Sequence, residues 1–136
     1  MFRVFPLAFL LLISYCLAGT LSSGEDVAKF VRSRIDANGV TVFSKSYCPY
    51  CKRTDKLLKD LLKKNANVME TVQLDQLPAE DGPLIQKQLL EKTGQRTVPN
   101  IFIGQKHIGG NSDLEELYHS GKLKGLLSKV ASTSEL

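Results

Sequence analysis

Cys48 and Cys51 stand two residues apart in the run Lys45-Ser46-Tyr47-Cys48-Pro49-Tyr50-Cys51. Thiols at that spacing can cycle between dithiol and disulfide, and a thiolate can attack a disulfide in another molecule. A CxxC between a strand and a helix is a redox signature with a mechanism behind it. The first cysteine falls at the helix N-terminus, where several backbone N–H groups lack partners and the macrodipole is positive. Both effects favour thiolate over thiol, so Cys48 is predicted to have a lowered pKa and to be the nucleophile. Pro49 suits the first helical turn, where a missing N–H costs nothing. Lys45, Lys52 and Arg53 add positive charge. On the following helix Cys51, Thr54, Leu58 and Leu61 share one face, which turns Cys51 inward and leaves Cys48 at the mouth. An exposed attacker with a shielded partner is the arrangement that ordered exchange requires.

Two other uses of the pair fit less well. A zinc site takes about four ligands, and beyond these cysteines the domain offers His107 and His119, whose spacing matches no finger pattern. As a disulfide the pair closes too short a loop to restrict the unfolded chain much.

The elements that position the pair can be read from periodicity. Val27, Phe30, Val31 and Ile35 mark a helix from Glu25, with Ser22 and Glu25 as a capping box and Gly39 as a left-handed terminator. Val40 to Phe43 reads as a buried strand. Leu57, Leu58, Leu61 and Leu62 stripe the helix after the cysteines, opposite Lys52, Arg53, Lys56, Lys59 and Lys63. Val68 to Leu74 alternates as a second strand. Pro83 is placed at the first position of a third helix, with Ile85 and Leu89 inward and Gly94 as its stop. Asn100–Ile103 and Lys106–Ile108 form a hairpin around Gly104-Gln105. Gly109-Gly110 breaks the chain, and Ser112 to Glu115 is a second capping box, opening a helix through Tyr118. Leu123, Leu126, Leu127 and Val130 mark the last helix.

The order α-β-α-β-α-β-β-α-α, with a right-handed crossover between the first two strands, predicts an α/β thioredoxin-like fold. It is a four-stranded mixed sheet with helices on both faces.

The chain has 136 residues, enough for one domain, and its 43% hydrophobic and 24% charged content is that of a globular protein. A net charge of +4 without basic runs interleaved with aromatics reads as a mildly basic solvated surface, and no nucleic-acid partner is expected. Residues 1–19, MFRVFPLAFLLLISYCLAG, begin with Arg3 and continue almost wholly apolar to Ala18. They read as a signal peptide cleaved after Ala18 or Gly19, or as an uncleaved signal anchor. The folded domain is predicted over 24–131, followed by a polar tail at 132–136. The expected location is the secretory pathway: ER or Golgi lumen, secreted, or anchored with the domain in the lumen. Membrane contact follows only if the leader stays attached.

Three segments carry a resemblance. Lys45 to Cys51, Gly94-Gln95-Arg96-Thr97-Val98-Pro99 and Ile108-Gly109-Gly110-Asn111-Ser112-Asp113 closely resemble three segments of dithiol glutaredoxins, in the family's order and separation. The likeness spans roughly Glu25 to Val130. It implies a glutathione-dependent thiol–disulfide oxidoreductase acting on glutathionylated or disulfide-bonded proteins. Glutathione would be a co-substrate, no cofactor would be permanently bound, and the protein would be a monomer. Cys48 matches the glutathionylated nucleophile and Cys51 the resolving cysteine. Lys45, with Gln86 beside it, matches the group that meets the glycine carboxylate, and Tyr50 the ring lining the groove. Thr97 and Val98 match the backbone partners of the cysteinyl part, Pro99 the family's cis-proline, and Ser112 and Asp113 the pair receiving the γ-glutamyl end. The chemistry agrees, because glutathione carries two carboxylates and an ammonium and calls for a cation, a helix N-terminus and an acid. Two other readings stay open: a glutathione-ligated [2Fe–2S] module using Cys48 from each of two chains, and a thioredoxin- or isomerase-like enzyme indifferent to glutathione. Departures from the family pattern are a longer loop at Gln76–Glu80 and Gly104-Gln105-Lys106 in place of the commoner Asn-Gly-Lys turn.

Overall fold

A computed structural model of the chain describes residues 20–133. The predicted leader at 1–19 and the end of the predicted tail at 134–136 lie outside the described residues. Nine regular elements follow in order: α1 (Gly24–Ala37), β1 (Val40–Ser44), α2 (Pro49–Leu62), β2 (Met69–Gln73), α3 (Asp81–Thr93), β3 (Asn100–Ile103), β4 (Lys106–Gly109), α4 (Asn111–His119) and α5 (Lys122–Thr133). Short 3-10 turns flank β2 on both sides. The strands form one sheet in the order β2-β1-β3-β4. β1 and β2 run parallel, and β3 is antiparallel to both β1 and β4. This is the mixed four-stranded thioredoxin-like sheet expected from the pattern.

Each face of the sheet is covered because the central strands are apolar on both sides. Val40 and Val42 of β1 with Ile101 and Ile103 of β3 pack against Leu58, Leu62, Leu114, Leu123 and Leu127 of α2, α4 and α5. Phe43 and Phe102, from the alternate positions, pack against Val27, Val31, Ile35, Ile85 and Leu89 of α1 and α3. The two phenylalanine rings meet edge to face, 6.0 Å between centroids. Among the described residues no helix is long and apolar enough to cross a membrane.

Several expected boundaries move. The capping residue of α1 is Ser23 rather than Ser22: its Oγ accepts the Asp26 N–H at 3.1 Å. Gly39 does not terminate α1 in a left-handed conformation; Asn38 ends the helix with extended backbone, its amide donating to the Arg34 carbonyl at 2.9 Å. Gly39 is instead a packing glycine, since a Cβ there would lie 2.9 Å from the Cβ of Val130. Pro83 is the third residue of α3, not the first, because the helix opens at Asp81. The buried Asp81 carboxylate accepts the Leu21 N–H at 3.0 Å, which ties the start of the domain to that helix. α4 begins at Asn111, one residue ahead of the predicted Ser112 cap, and α5 runs to Thr133, two residues past the predicted domain end. β2 is shorter than the predicted Val68–Leu74 by one residue at each end, both taken into 3-10 turns. Gly94 is a left-handed stop and the Gly104-Gln105 turn has positive φ at both residues, as expected.

Gly39 sets how closely α5 approaches the β1 end of the sheet. Gly39→Ala is expected to lower the thermal midpoint by about 5–10 °C, as overpacking costs on the order of 1–3 kcal/mol. Combining it with Val130→Ala should return most of that loss. An unchanged midpoint in the single variant would show that the contact yields freely.

Candidate active site

β1 ends at Ser44 and α2 opens at Pro49, so a four-residue loop delivers Cys48 to the helix start. Cys48 is the N-cap residue, with extended backbone (φ −81°, ψ 118°), and its Sγ accepts the Cys51 N–H at 3.3 Å. The sulfur thus occupies the position that a serine or aspartate oxygen takes in an ordinary cap. No acidic residue lies in the first turn to offset the helix dipole. Pro49 stands at the first helical position, as expected.

The two sulfurs are not equivalent. Cys48 is half-buried at the surface, while Cys51 is 2% exposed beneath it. Burial pushes the Cys51 thiol up from its ordinary value, and the neighbouring Cys48 sulfur adds to the rise. Both cysteines are free thiols in this structure.

The loop before Cys48 is held from the side. The Asp75 carboxylate, in the turn after β2, accepts the Ser46 N–H at 2.9 Å and the Ser46 hydroxyl through its other oxygen. Those two bonds hold the Asp75 carboxyl below the usual range, and Lys45 nearby adds a smaller pull. On the opposite side stands Val98, whose carbonyl oxygen is 3.9 Å from Cys48 Sγ, followed by a cis Val98–Pro99 bond. The Gln95 side chain clamps this segment, donating to the Thr97 carbonyl at 3.1 Å and the Pro99 carbonyl at 2.9 Å. Behind it the fully buried Asn100 donates to the Gln95 carbonyl and accepts from His107 Nε2 at 3.0 Å. Burial holds the His107 ring below its ordinary pKa.

Between these walls runs a groove of about 500 Å³, lined by Tyr50, Gln95, Thr97, Val98, Pro99 and Gly110 to Asp113. At its far end Asp113 Oδ2 accepts the Gly110 N–H at 2.8 Å, capping α4 from within. Gly109 permits this: its φ is +123°, and a Cβ there would meet Asp113 Oδ2 at 2.3 Å. Asn111, at the first helical position of α4, is joined to α2. The Thr54 hydroxyl donates to Asn111 Oδ1 at 3.0 Å, and both side chains are buried. Asn111 in turn donates to Glu115 at 3.0 Å.

Six of the expected site residues therefore line one groove: Tyr50, Thr97, Val98, Pro99, Ser112 and Asp113. Cys48 stands at its edge with Cys51 below. Lys45 lies on the Asp75 side, and Gln86 donates its amide to the Arg96 carbonyl at 3.1 Å; neither is in the groove lining. Gln95, Asn111, Thr54 and Asp75 were not anticipated. Gln95 and Asn111 lie inside the quoted motifs, and their side-chain chemistry was the available signal. Helix periodicity turned Thr54 inward without giving its partner, and nothing local marks Asp75.

The family model described as Glutaredoxin matches residues 40–108. Glutaredoxin-C8 of Oryza sativa subsp. japonica is 45% identical over 128 residues, covering 93% of this chain and 90% of the relative. Glutaredoxin-C4 of Arabidopsis thaliana is 39% identical over 129 residues, with 93% and 91% covered. The crystal structure of a buckwheat glutaredoxin–glutathione complex matches with a TM-score of 0.72 and 40% identity, over 82% of this chain and 96% of that one. The paired thiols at the head of α2 and these likenesses agree: the chain belongs to the glutaredoxin family and is a thiol–disulfide oxidoreductase.

Proposed function

We propose that this protein is a dithiol enzyme of its family, using glutathione to release glutathionylated proteins and to reduce protein disulfides. The observation that supports it best is the inequality of the two sulfurs, one capping a helix beside an open groove and the other buried behind it. The Cys48 thiolate attacks the glutathione sulfur of a protein–glutathione mixed disulfide. A Cys48–glutathione disulfide forms, and the protein leaves as a thiolate that takes a proton from solvent. A second glutathione thiolate attacks the glutathionyl sulfur of that adduct, releasing glutathione disulfide and restoring Cys48. With a protein disulfide, Cys48 forms a mixed disulfide with one protein sulfur, and the other leaves as a thiolate. Cys51 then attacks Cys48 Sγ, releasing the reduced protein and leaving a Cys48–Cys51 disulfide. Two glutathiones reduce it and depart as glutathione disulfide.

The groove suits a tripeptide adduct on Cys48. Thr97 and Val98 offer backbone to its cysteinyl part, with the cis Pro99 closing the wall and Tyr50 opposite. The α4 N-terminus at Ser112 serves the γ-glutamyl carboxylate, and Asp113 its ammonium. Lys45, with Gln86 supporting the Arg96 backbone, serves the glycine carboxylate at the rim. The bound ligand of the buckwheat relative supports this assignment. Glutathione is a co-substrate, no permanently bound cofactor is needed, and the protein acts as a monomer. Residues 1–19 direct it into the secretory pathway, as a cleaved signal or an anchor.

Three outcomes test this reading. In a glutathione-coupled assay on a small mixed disulfide, Cys48→Ser should abolish turnover, while Cys51→Ser should leave much of it; equal loss in both would point to a strictly dithiol reductant. Iodoacetamide added to the reduced native protein near pH 7 should label Cys48 and spare Cys51. Because burial raises the Cys51 pKa, its labelling should begin only as the pH passes the ordinary thiol value of about 8.5; early labelling at both sites, read by peptide mass, would sink the buried-resolver role. Residues 1–23 fused to a reporter bearing a glycosylation sequon should yield a glycosylated, protease-protected product with microsomes, and an unmodified, accessible reporter would overturn the routing.

A further inference from the structure

The positive charge on α2 is not evenly compensated. Lys56 and Lys59 each pair with an acid four residues away, Asp60 at 2.6 Å and Asp55 at 2.8 Å. Nearer the nucleophile the spacing changes: the residue four beyond Lys52 is Lys56, and four beyond Arg53 is Leu57. Among the described residues no acid comes within ion-pair range of Lys52 or Arg53, and both are exposed. Arg53 is also held in place, its guanidinium 5.4 Å from the centroid of the Tyr50 ring.

Tyr50 and Arg53 join two grooves. Tyr50 walls the groove described above, and Arg53 walls a second one of about 380 Å³ between α2 and α4. Leu57, Glu115, Tyr118 and His119 also line it. Tyr50, Arg53 and Leu57 fall at i, i+3 and i+7, one stripe along the helix. Tyr118, 40% exposed, stands across from it. Glu115 lines the same groove and accepts from Asn111, but it forms no ion pair with Lys52 or Arg53. Exposed aromatic and arginine side chains of this kind anchor protein interfaces.

We infer that the α2–α4 groove, lined by Arg53 and with the exposed Lys52 next to it in α2, receives the polypeptide half of the mixed disulfide and selects substrates with acidic residues flanking the modified cysteine. The inference rests on the proposed function: with glutathione in the first groove, the wall shared with the second groove, Tyr50 and Arg53, offers the protein attached to its sulfur a continuous way out. Two unpaired cations near that exit favour an acidic chain over a basic one, most strongly at low salt.

The test uses two glutathionylated peptides, identical except that glutamates or lysines flank the cysteine, and reads the ratio of their kcat/KM values. Any effect of a substitution on Cys48 itself is common to both peptides and cancels in that ratio. The unsubstituted protein should favour the acidic peptide by about tenfold at low ionic strength and less at high. The ratio should fall towards one in Lys52→Gln/Arg53→Gln and invert in Lys52→Glu/Arg53→Glu. Tyr118→Ala should slow both peptides together and spare a cysteine–glutathione mixed disulfide. A ratio near one in the unsubstituted protein, or one that the substitutions leave unmoved, overturns the selectivity; an unaltered rate with Tyr118→Ala overturns the groove as its seat. Failure of the unsubstituted protein on the small disulfide would overturn the functional reading instead.

Discussion

One short contact organises this molecule: the Cys51 N–H donated to Cys48 Sγ at the first turn of α2. A sulfur in the capping position satisfies a backbone donor that otherwise needs water or a side-chain oxygen, and it is anionic sulfur that satisfies it best. Helix initiation and the placement of the outer sulfur are thus the same interaction. That interaction also sets the order of the two cysteines. In α2 the residue that donates the N–H also has its side chain inside the protein, so the capping sulfur faces out and its partner is buried. Reversing the roles would require a different helix start.

Holding that cap in register falls to contacts from three directions. Asp75 secures the loop on the β2 side, Gln95 secures the Thr97–Pro99 segment on the other, and Thr54 with Asn111 locks α2 to α4 underneath. Each tie is polar and directional. The apolar layers on the two faces of the sheet supply the bulk of the stabilisation, but apolar contacts tolerate sliding that hydrogen bonds with fixed lengths do not. Thr54 and Asn111 satisfy each other in the interior, where either left alone would cost about 1–3 kcal/mol. Loss of one partner would therefore be felt in the groove wall as well as in the core.

The sequence carried the frame of this site well and its fastenings poorly. Strand and helix order, the inward Cys51 and the two-residue hairpin all follow from local pattern, because side-chain periodicity is a local property. Helix starts were displaced by one or two residues where several cap-competent residues stand together, as in Ser22-Ser23-Gly24 and Gly110-Asn111-Ser112. There the winner depends on which backbone donor faces which oxygen. Gly39 misled for a related reason: a glycine after a helix most often supplies a left-handed turn, whereas this one supplies room for Val130. The polar ties were illegible because their partners lie far apart in the chain. Asp75 reaches Ser46 across 29 residues, Thr54 reaches Asn111 across 57, and Asp81 reaches Leu21 across 60.

The fold explains why these separate pieces meet at all. β1 and β2 are parallel, so their C-terminal ends, and the loops that follow them, lie at one edge of the sheet. The β1 exit leads into α2 and the β2 exit into the turn bearing Asp75, which is why an acid after one strand can hold the loop after the other. The antiparallel hairpin then returns β4 to the same edge, and Gly109 and Gly110 turn the chain there into α4. Two helix N-termini consequently open on a single groove, one presenting its unpaired N–H groups to a sulfur and the other able to present them to a carboxylate. A sheet with β2 antiparallel to β1 would send its exit to the far edge and leave the cysteine loop unbraced. Topology, more than any single residue, thus decides that the capping sulfur of α2 and the N-terminus of α4 face one groove.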